Sequence, residues 1–158
     1  MIVESHAEHR ERARPEWMDA SGELAPAFAV VIFDHAIDRL YNGIGIGDDY
    51  RQETDFSTFT LETHSLLEQP VKADEEVLVR SHILAVDAKR MHIAQEMFRP
   101  GETRRAALME QLSIHIDLSI RRSAPFPPER LARIRAAMEA QREWPPPRGT
   151  GRRIALAE

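Results

Sequence analysis

The sequence predicts an α+β fold: a curved antiparallel β-sheet wrapped around one long central helix, with a second helix on the surface near the C-terminus. Three patterns carry that expectation. Between residues 24 and 43 apolar side chains return every four positions, between 56 and 121 the period changes to two, and from 127 to 144 a weaker helical stripe follows. A helix that is apolar over most of its circumference must be covered on several sides, and a sheet curled around it does this.

The elements follow in order. Residues 1–9 read as a loose terminus and 10–18 as a first strand, with Pro15 suiting a strand end or edge. The stretch 24–33 alone is compatible with a buried strand. Its continuation decides for a helix, because Phe28, Ile32, Ala36 and Leu40 share one stripe, Asp34, Asp38 and Arg39 fall elsewhere, and Asn42-Gly43 is a C-terminal stop. Residues 43–55 read as turn-rich connection, and their glycines lack the spacing of a phosphate loop. Strands are expected at about 56–68, 75–87, 90–99 and 104–121. In the last, Leu112, Ile114, Ile116, Leu118 and Ile120 alternate with Gln111, Ser113, His115, Asp117 and Ser119, which predicts an apolar face on the core and a polar face in water. Pro127 and Pro128 open the final helix, with Leu131, Ile134 and Met138 as its apolar stripe. The chain thus divides into one domain over 1–144 and a Pro/Arg-rich tail over 145–158, expected to run over the surface.

Composition narrows the function classes. A chain of 158 residues that is 42% hydrophobic and 30% charged has the balance of a globular domain. A net charge of −5 argues against nucleic acid as a partner, although a local basic patch can still hold a phosphorylated ligand. The absence of cysteine removes disulfides, thiolate metal sites and a cysteine nucleophile. The seven histidines show no HxxxH or HExxH spacing, so no metal site is expected. The opening segment lacks the apolar core of a secretion signal and no run approaches the roughly 20 residues that span a bilayer, so no membrane association and a cytoplasmic location are expected.

The candidate chemistry lies where carboxylates meet the apolar helix. Asp19 in "DASG" and Glu23 stand just before it, either as capping and first-turn residues that favour the helix dipole or as catalytic acids beside a ligand. Four segments, "RPEWMDASG", "FTLETHSLLEQPVKADEEV", "DAKRMHIAQEMFR" and "EQLSIHIDL", resemble in order and spacing the acyl-CoA thioesterases of the 4-hydroxybenzoyl-CoA type, and within them the betainyl-CoA thioesterase-like branch, whose opening reads "RPEWMDYNGHM". The likeness covers residues 10–126.

The resemblance implies the hotdog fold and a homodimer with active sites at the subunit interface, leaving open whether dimers pair into tetramers. It implies a short acyl-CoA substrate, betainyl-CoA in this branch, with coenzyme A as part of the substrate and no other cofactor. Asp19, ending the first strand, would be the nucleophile or the base for a water. Backbone N–H groups between Gly22 and Ala27 would hold the oxyanion, with Pro26 offering none. Glu23 stands where the branch has His, and Ala25-Pro26-Ala27 where it has Thr-Glu-Ser, so Glu23 is a second candidate acid. Trp17, Gly22, Leu24, Phe28, Thr63 and His64 are candidates to line the acyl site, with Phe33 and Tyr41 expected in the core. An aromatic face at Trp17 or Phe28 would suit a trimethylammonium group. Lys89 and Arg90, at the hairpin turn where the family meets the CoA nucleotide, are candidate phosphate contacts, whereas Arg104-Arg105 reads as a solvated turn.

A non-hydrolytic protein that binds acyl-CoA or a small acid is the competing expectation, since the branch histidine and polar wall are missing. A hydratase on the same fold is third, but His35 lies about three turns into the helix.

Overall fold

In the computed structural model, which describes residues 6–156, a six-stranded antiparallel sheet curls around one helix. The strands are β1 (Glu8–Arg12), β2 (Phe56–Leu67), β3 (Glu76–Val86), β4 (Arg90–Phe98), β5 (Arg105–Asp117) and a two-residue β6 (Arg122–Ser123). Their order is β1-β3-β4-β5-β2, with β6 beside β5. The helices are α1 (Pro26–Ile44), α2 (Asp48–Glu53) and α3 (Pro128–Ala140).

The expected elements are present, with three shifts. β1 starts at Glu8 and ends at Arg12, not near Asp19, because Pro15 lacks an N–H and instead opens a single 3-10 turn (Pro15–Trp17). The rest of the expected loose terminus, residues 1–5, lies outside the described residues. Helix α1 begins at Pro26, two residues later than its apolar pattern, since proline at the first helical position fixes φ and loses no bond. The connection at 43–55 holds α2, with Asp48 and Asp49 in its first turn, where the dipole favours acid.

The sheet's inner face rests on α1 through Ile32, Phe33 and Ala36 toward one end and Ile37, Leu40 and Tyr41 toward the other. Here the main sequence expectation is overturned. On β5 the residues facing α1 are Gln111, Ser113 and His115, each at most 3% exposed, while Leu112, Ile114 and Ile116 face outward and are only half-buried. Beyond the strand, Leu118 and Ile120 are exposed. The inversion holds because every inward polar group finds a partner. Tyr41 donates to Ser113 Oγ at 3.0 Å, Gln111 Nε2 donates to Tyr41 Oη at 3.4 Å, and Tyr50 donates to His115 Nε2 at 3.0 Å. His115 Nδ1 donates to the Ala124 carbonyl at 2.9 Å, which fixes its tautomer. Burial pushes the Tyr41 hydroxyl up to about 12, and burial holds His115 below the ordinary histidine value.

Arg105 is not the solvated turn residue its sequence context suggests. Its guanidinium, 11% exposed, bridges Glu68 (2.9 and 2.7 Å) and Glu96 (2.9 Å). From Trp144 onward the chain crosses the outer face of the sheet, as expected of a surface tail: Trp144 meets His82 edge-on at 5.3 Å and the Gly151 N–H donates to Glu110 at 2.7 Å.

Candidate functional site

Between the 3-10 turn and α1, residues 18–24 form a compact turn built around Asp19. Its N–H donates to Glu23 O at 2.7 Å, and its Oδ1 accepts from the N–H groups of Ser21 at 2.8 Å and Glu23 at 3.2 Å. This is the side-chain turn that aspartate forms with residues just ahead of it. Gly22, at φ 76°, supplies the left-handed residue that reverses the chain. Leu24 N–H then donates to Val71 O at 2.7 Å and Ala25 N–H to Trp17 O at 3.1 Å, which fastens the turn to the loop after β2.

These anchors use nearly every donor ahead of α1. Phe28 and Ala29 N–H groups both reach Ala25 O, and Pro26 has none, so among the described residues Ala27 N–H is left without an acceptor at the helix start. Asp19 and Glu23 are exposed and line a cavity of about 310 Å³. Leu24, Pro26 and Ala29 form its helix-side wall, and Leu67, Val71, Met97 and Ala107 its far wall. Glu68 stands at the rim with its charge held by Arg105. The loop from Leu67 to Val71, which closes the cavity, escaped the sequence reading; only the turn residues "EQP" marked it.

The candidate residues sort into three groups. Asp19, Glu23 and Leu24 share the cavity, and Gly22 does not line it but turns the chain between Asp19 and Glu23. Trp17 and Phe28 do not line it: they stack at 5.9 Å and 12°, with Trp17 6% exposed in the core. Phe28 lies on the same buried stripe as Ile32 and Ala36, and the 3-10 turn brings Trp17 against it. Thr63 and His64 belong to opposite faces of β2, Thr63 beside the inward Gln111 and His64 beside the outward Glu110, so one protomer cannot offer both to one ligand. His64 Nδ1 is buried without a hydrogen-bond partner among the described residues. Lys89 and Arg90 lie at the opposite end of β4 from Met97, about 23 Å of strand away, and Arg90 is paired with Asp87 at 2.7 Å.

Away from the cavity the fold gathers a trio that no sequence spacing announced. His9 and Glu11 point to the same side of β1, and His35 of α1 reaches them. His9 Nε2 donates to Glu11 Oε2 at 3.0 Å and His35 Nδ1 at 2.8 Å. Burial alone would raise the Glu11 pKa, but the hydrogen bonds from His9 and His35 outweigh it and hold Glu11 below the usual carboxylate value.

Residues 13–134 match the model of the thioesterase-like superfamily, and the chain is 42% identical over 142 residues to the betainyl-CoA thioesterase of Pseudomonas aeruginosa, covering 90% of this chain and 89% of that one. The chain belongs to the thioesterase-like superfamily. It is also 30% identical to the L-carnitine dehydrogenase/betainyl-CoA thioesterase of Agrobacterium fabrum, a longer protein of which it spans 29%. Among solved structures, the protein SAV2348 of Staphylococcus aureus, in complex with CoA, superimposes with a TM-score of 0.89 at 23% identity, over 96% of this chain and 95% of that one. This confirms the hotdog fold expected from the pattern of elements. Among the described residues no helix is long and apolar enough to cross a membrane.

Proposed function

We propose that this protein hydrolyses a short acyl-CoA thioester in the cavity at the start of α1. The observation that carries the proposal is that the Asp19 carboxylate lines one cavity together with Pro26 and Ala29 of the first turn of the buried helix. Thioester hydrolysis needs two things. An oxygen must attack the carbonyl carbon, and donors must stand where negative charge then gathers on the carbonyl oxygen. Asp19 either takes a proton from the attacking water or attacks directly, giving an acyl–aspartyl anhydride that water cleaves. In both cases CoA leaves as the thiol. Ala27 N–H and the positive end of the α1 dipole stabilise the oxyanion. The betainyl-CoA thioesterase likeness over most of the chain supports the reaction class.

The cavity also bears on the acyl group. Asp19 and Glu23 place negative charge beside Leu24, Pro26 and Ala29. A short acyl chain ending in a quaternary ammonium, as in betainyl-CoA, fits this combination of apolar wall and acid rim. In this reading Glu23, not an aromatic face at Trp17 or Phe28, offsets the cation.

The working unit is a homodimer. β2 is 12 residues long, pairs with β5 on one side, and presents its other edge with Phe59, Leu61 and Leu67 about half exposed. A long apolar edge of this kind calls for another strand, and antiparallel pairing of two β2 copies supplies it. The cavity borders Leu67, so the second copy becomes part of its wall. Lys89 and Arg90 then serve the CoA phosphates of a site other than the nearest one in their own chain.

The test is CoA-thiol release from betainyl, straight-chain, branched and aromatic thioesters by wild type and Asp19→Asn. Turnover that collapses in the variant supports the mechanism. CoA binding with no turnover on any thioester would establish the non-hydrolytic reading, in which Asp19 only shapes its turn.

A further inference from the structure

We propose that residues 152–156 form an arm that docks on the outer sheet face of a second copy of this chain. The inference rests on the β2-to-β2 pairing put forward above and adds to it an exchanged segment.

Three observations converge. The outer face of β5 and β2 carries an apolar stripe, Leu112, Ile114, Ile116 and Phe59, that its own chain leaves half open, with Phe59 47% exposed. The tail runs toward that region: it rests on β3 at His82, passes over Leu66 and Leu108 at Gly149, and is tied at Gly151 to Glu110 of β5. Gly149, at φ 92°, lies so close that an added Cβ would meet Leu66 Cδ1 at 2.9 Å, so the course over the sheet is a fitted one. Beyond the Gly151 anchor, Ile154 and Leu156 are 84% and 96% exposed and cover nothing in their own chain.

Symmetry supplies the receiving surface. Antiparallel pairing centred on β2 sets His64, the strand neighbour of Glu110, opposite Phe59 of the second copy. A tail that leaves Glu110 across that edge therefore arrives on Phe59 and Ile114 of the neighbour, the part of the stripe left open. Charge agrees: Arg152 and Arg153 make no ion pair among the described residues, and Glu62 and Glu110 stand on the receiving face.

The chain has no cysteine, so introduced thiols report without background. Ile154→Cys and Ile114→Cys, made in separate chains, mixed and oxidised at low micromolar concentration, are expected to give a disulfide joining one chain of each kind on a non-reducing gel. In the double variant the expected product is a linked dimer. A bridge closing within a single chain, or no bridge, overturns the arm. As a second measurement, removal of residues 152–158 is expected to weaken dimerisation roughly tenfold or more by sedimentation equilibrium; unchanged association overturns the proposal. A chain that is monomeric throughout overturns both the arm and the β2 pairing, and none of these readouts depends on thioester hydrolysis.

Discussion

At the start of α1 Asp19 and Glu23 line a cavity and, among the described residues, Ala27 N–H has no acceptor, whereas near its end Tyr41, Ser113, Gln111, Tyr50 and His115 are sealed inside and bonded to one another. Both regions put polar atoms against an apolar helix. They differ in what completes them. The far end is completed by the chain itself, so its hydrogen bonds act on stability. The near end is open, with the Asp19 and Glu23 carboxylates lining a cavity, and the proposed reaction would use them there. The contrast separates residues whose loss changes turnover from residues whose loss changes melting.

Substitutions can break this division, and the largest expected effect is at Asp19. Asp19→Asn keeps the side-chain oxygen that accepts from Ser21 and Glu23, so melting should hold while kcat falls by about 10²–10⁴-fold, the range for a lost acid–base group. A melting curve that shifts in step with activity would place Asp19 on the structural side. At the other end, Tyr41→Phe leaves Ser113 Oγ without its donor and Gln111 Nε2 without its acceptor; stability should drop by about 1–3 kcal/mol in denaturant titration with kcat/KM retained.

Glu23→Gln sharpens the near end. If Glu23 only offsets a cationic acyl group, KM for a betainyl thioester rises and kcat for a neutral short acyl-CoA is preserved. A kcat loss as large as that of Asp19→Asn on both substrates would instead make Glu23 the working acid.

Proton-dependent effects are smaller. His115 is held neutral by burial, so the unfolded chain takes up a proton first as pH falls below about 6.5, and stability declines from there. Glu11 and Glu96 have lowered folded values despite burial, through His9 and His35 for the first and His82 and Arg105 for the second. Their contribution is present above the ordinary carboxylate range and is lost as pH falls through the folded values. Melting temperatures followed downward from pH 8 should show these as two successive declines, the first flattened in His115→Asn.

What the sequence disclosed follows the same split. The long helix was legible because Ile32, Ala36 and Leu40 bury one stripe, and the strands because their period is two. Which face of β5 meets the helix was not, since alternation fixes that two faces exist and hydropathy assigns the wrong one inward. Tyr41 and Tyr50, distant in sequence, help make Ser113 and His115 the better inner residues. That Asp19, Glu23 and Leu24 stand together ahead of the helix was legible from their order in the chain, whereas the stacking of Trp17 on Phe28 was not, because it depends on a 3-10 turn that carries Trp17 into the core. The His9–Glu11–His35 trio joins a strand to a helix, and local spacing carries no trace of that meeting.

The polar inner face of β5 has a further consequence for how the chain finds its register. A sheet packed on a helix through leucines alone can slide by two residues and still present grease to grease. Sliding β5 by two residues would set the longer Gln111 where Ser113 meets Tyr41 and the shorter Ser113 where His115 bridges Tyr50 and the Ala124 carbonyl, leaving polar groups out of reach of one another in a dry interior. Each mispaired group would cost about 1–3 kcal/mol, so the three side chains act together as the teeth of a key. They favour one position of the strand over its two-residue slips.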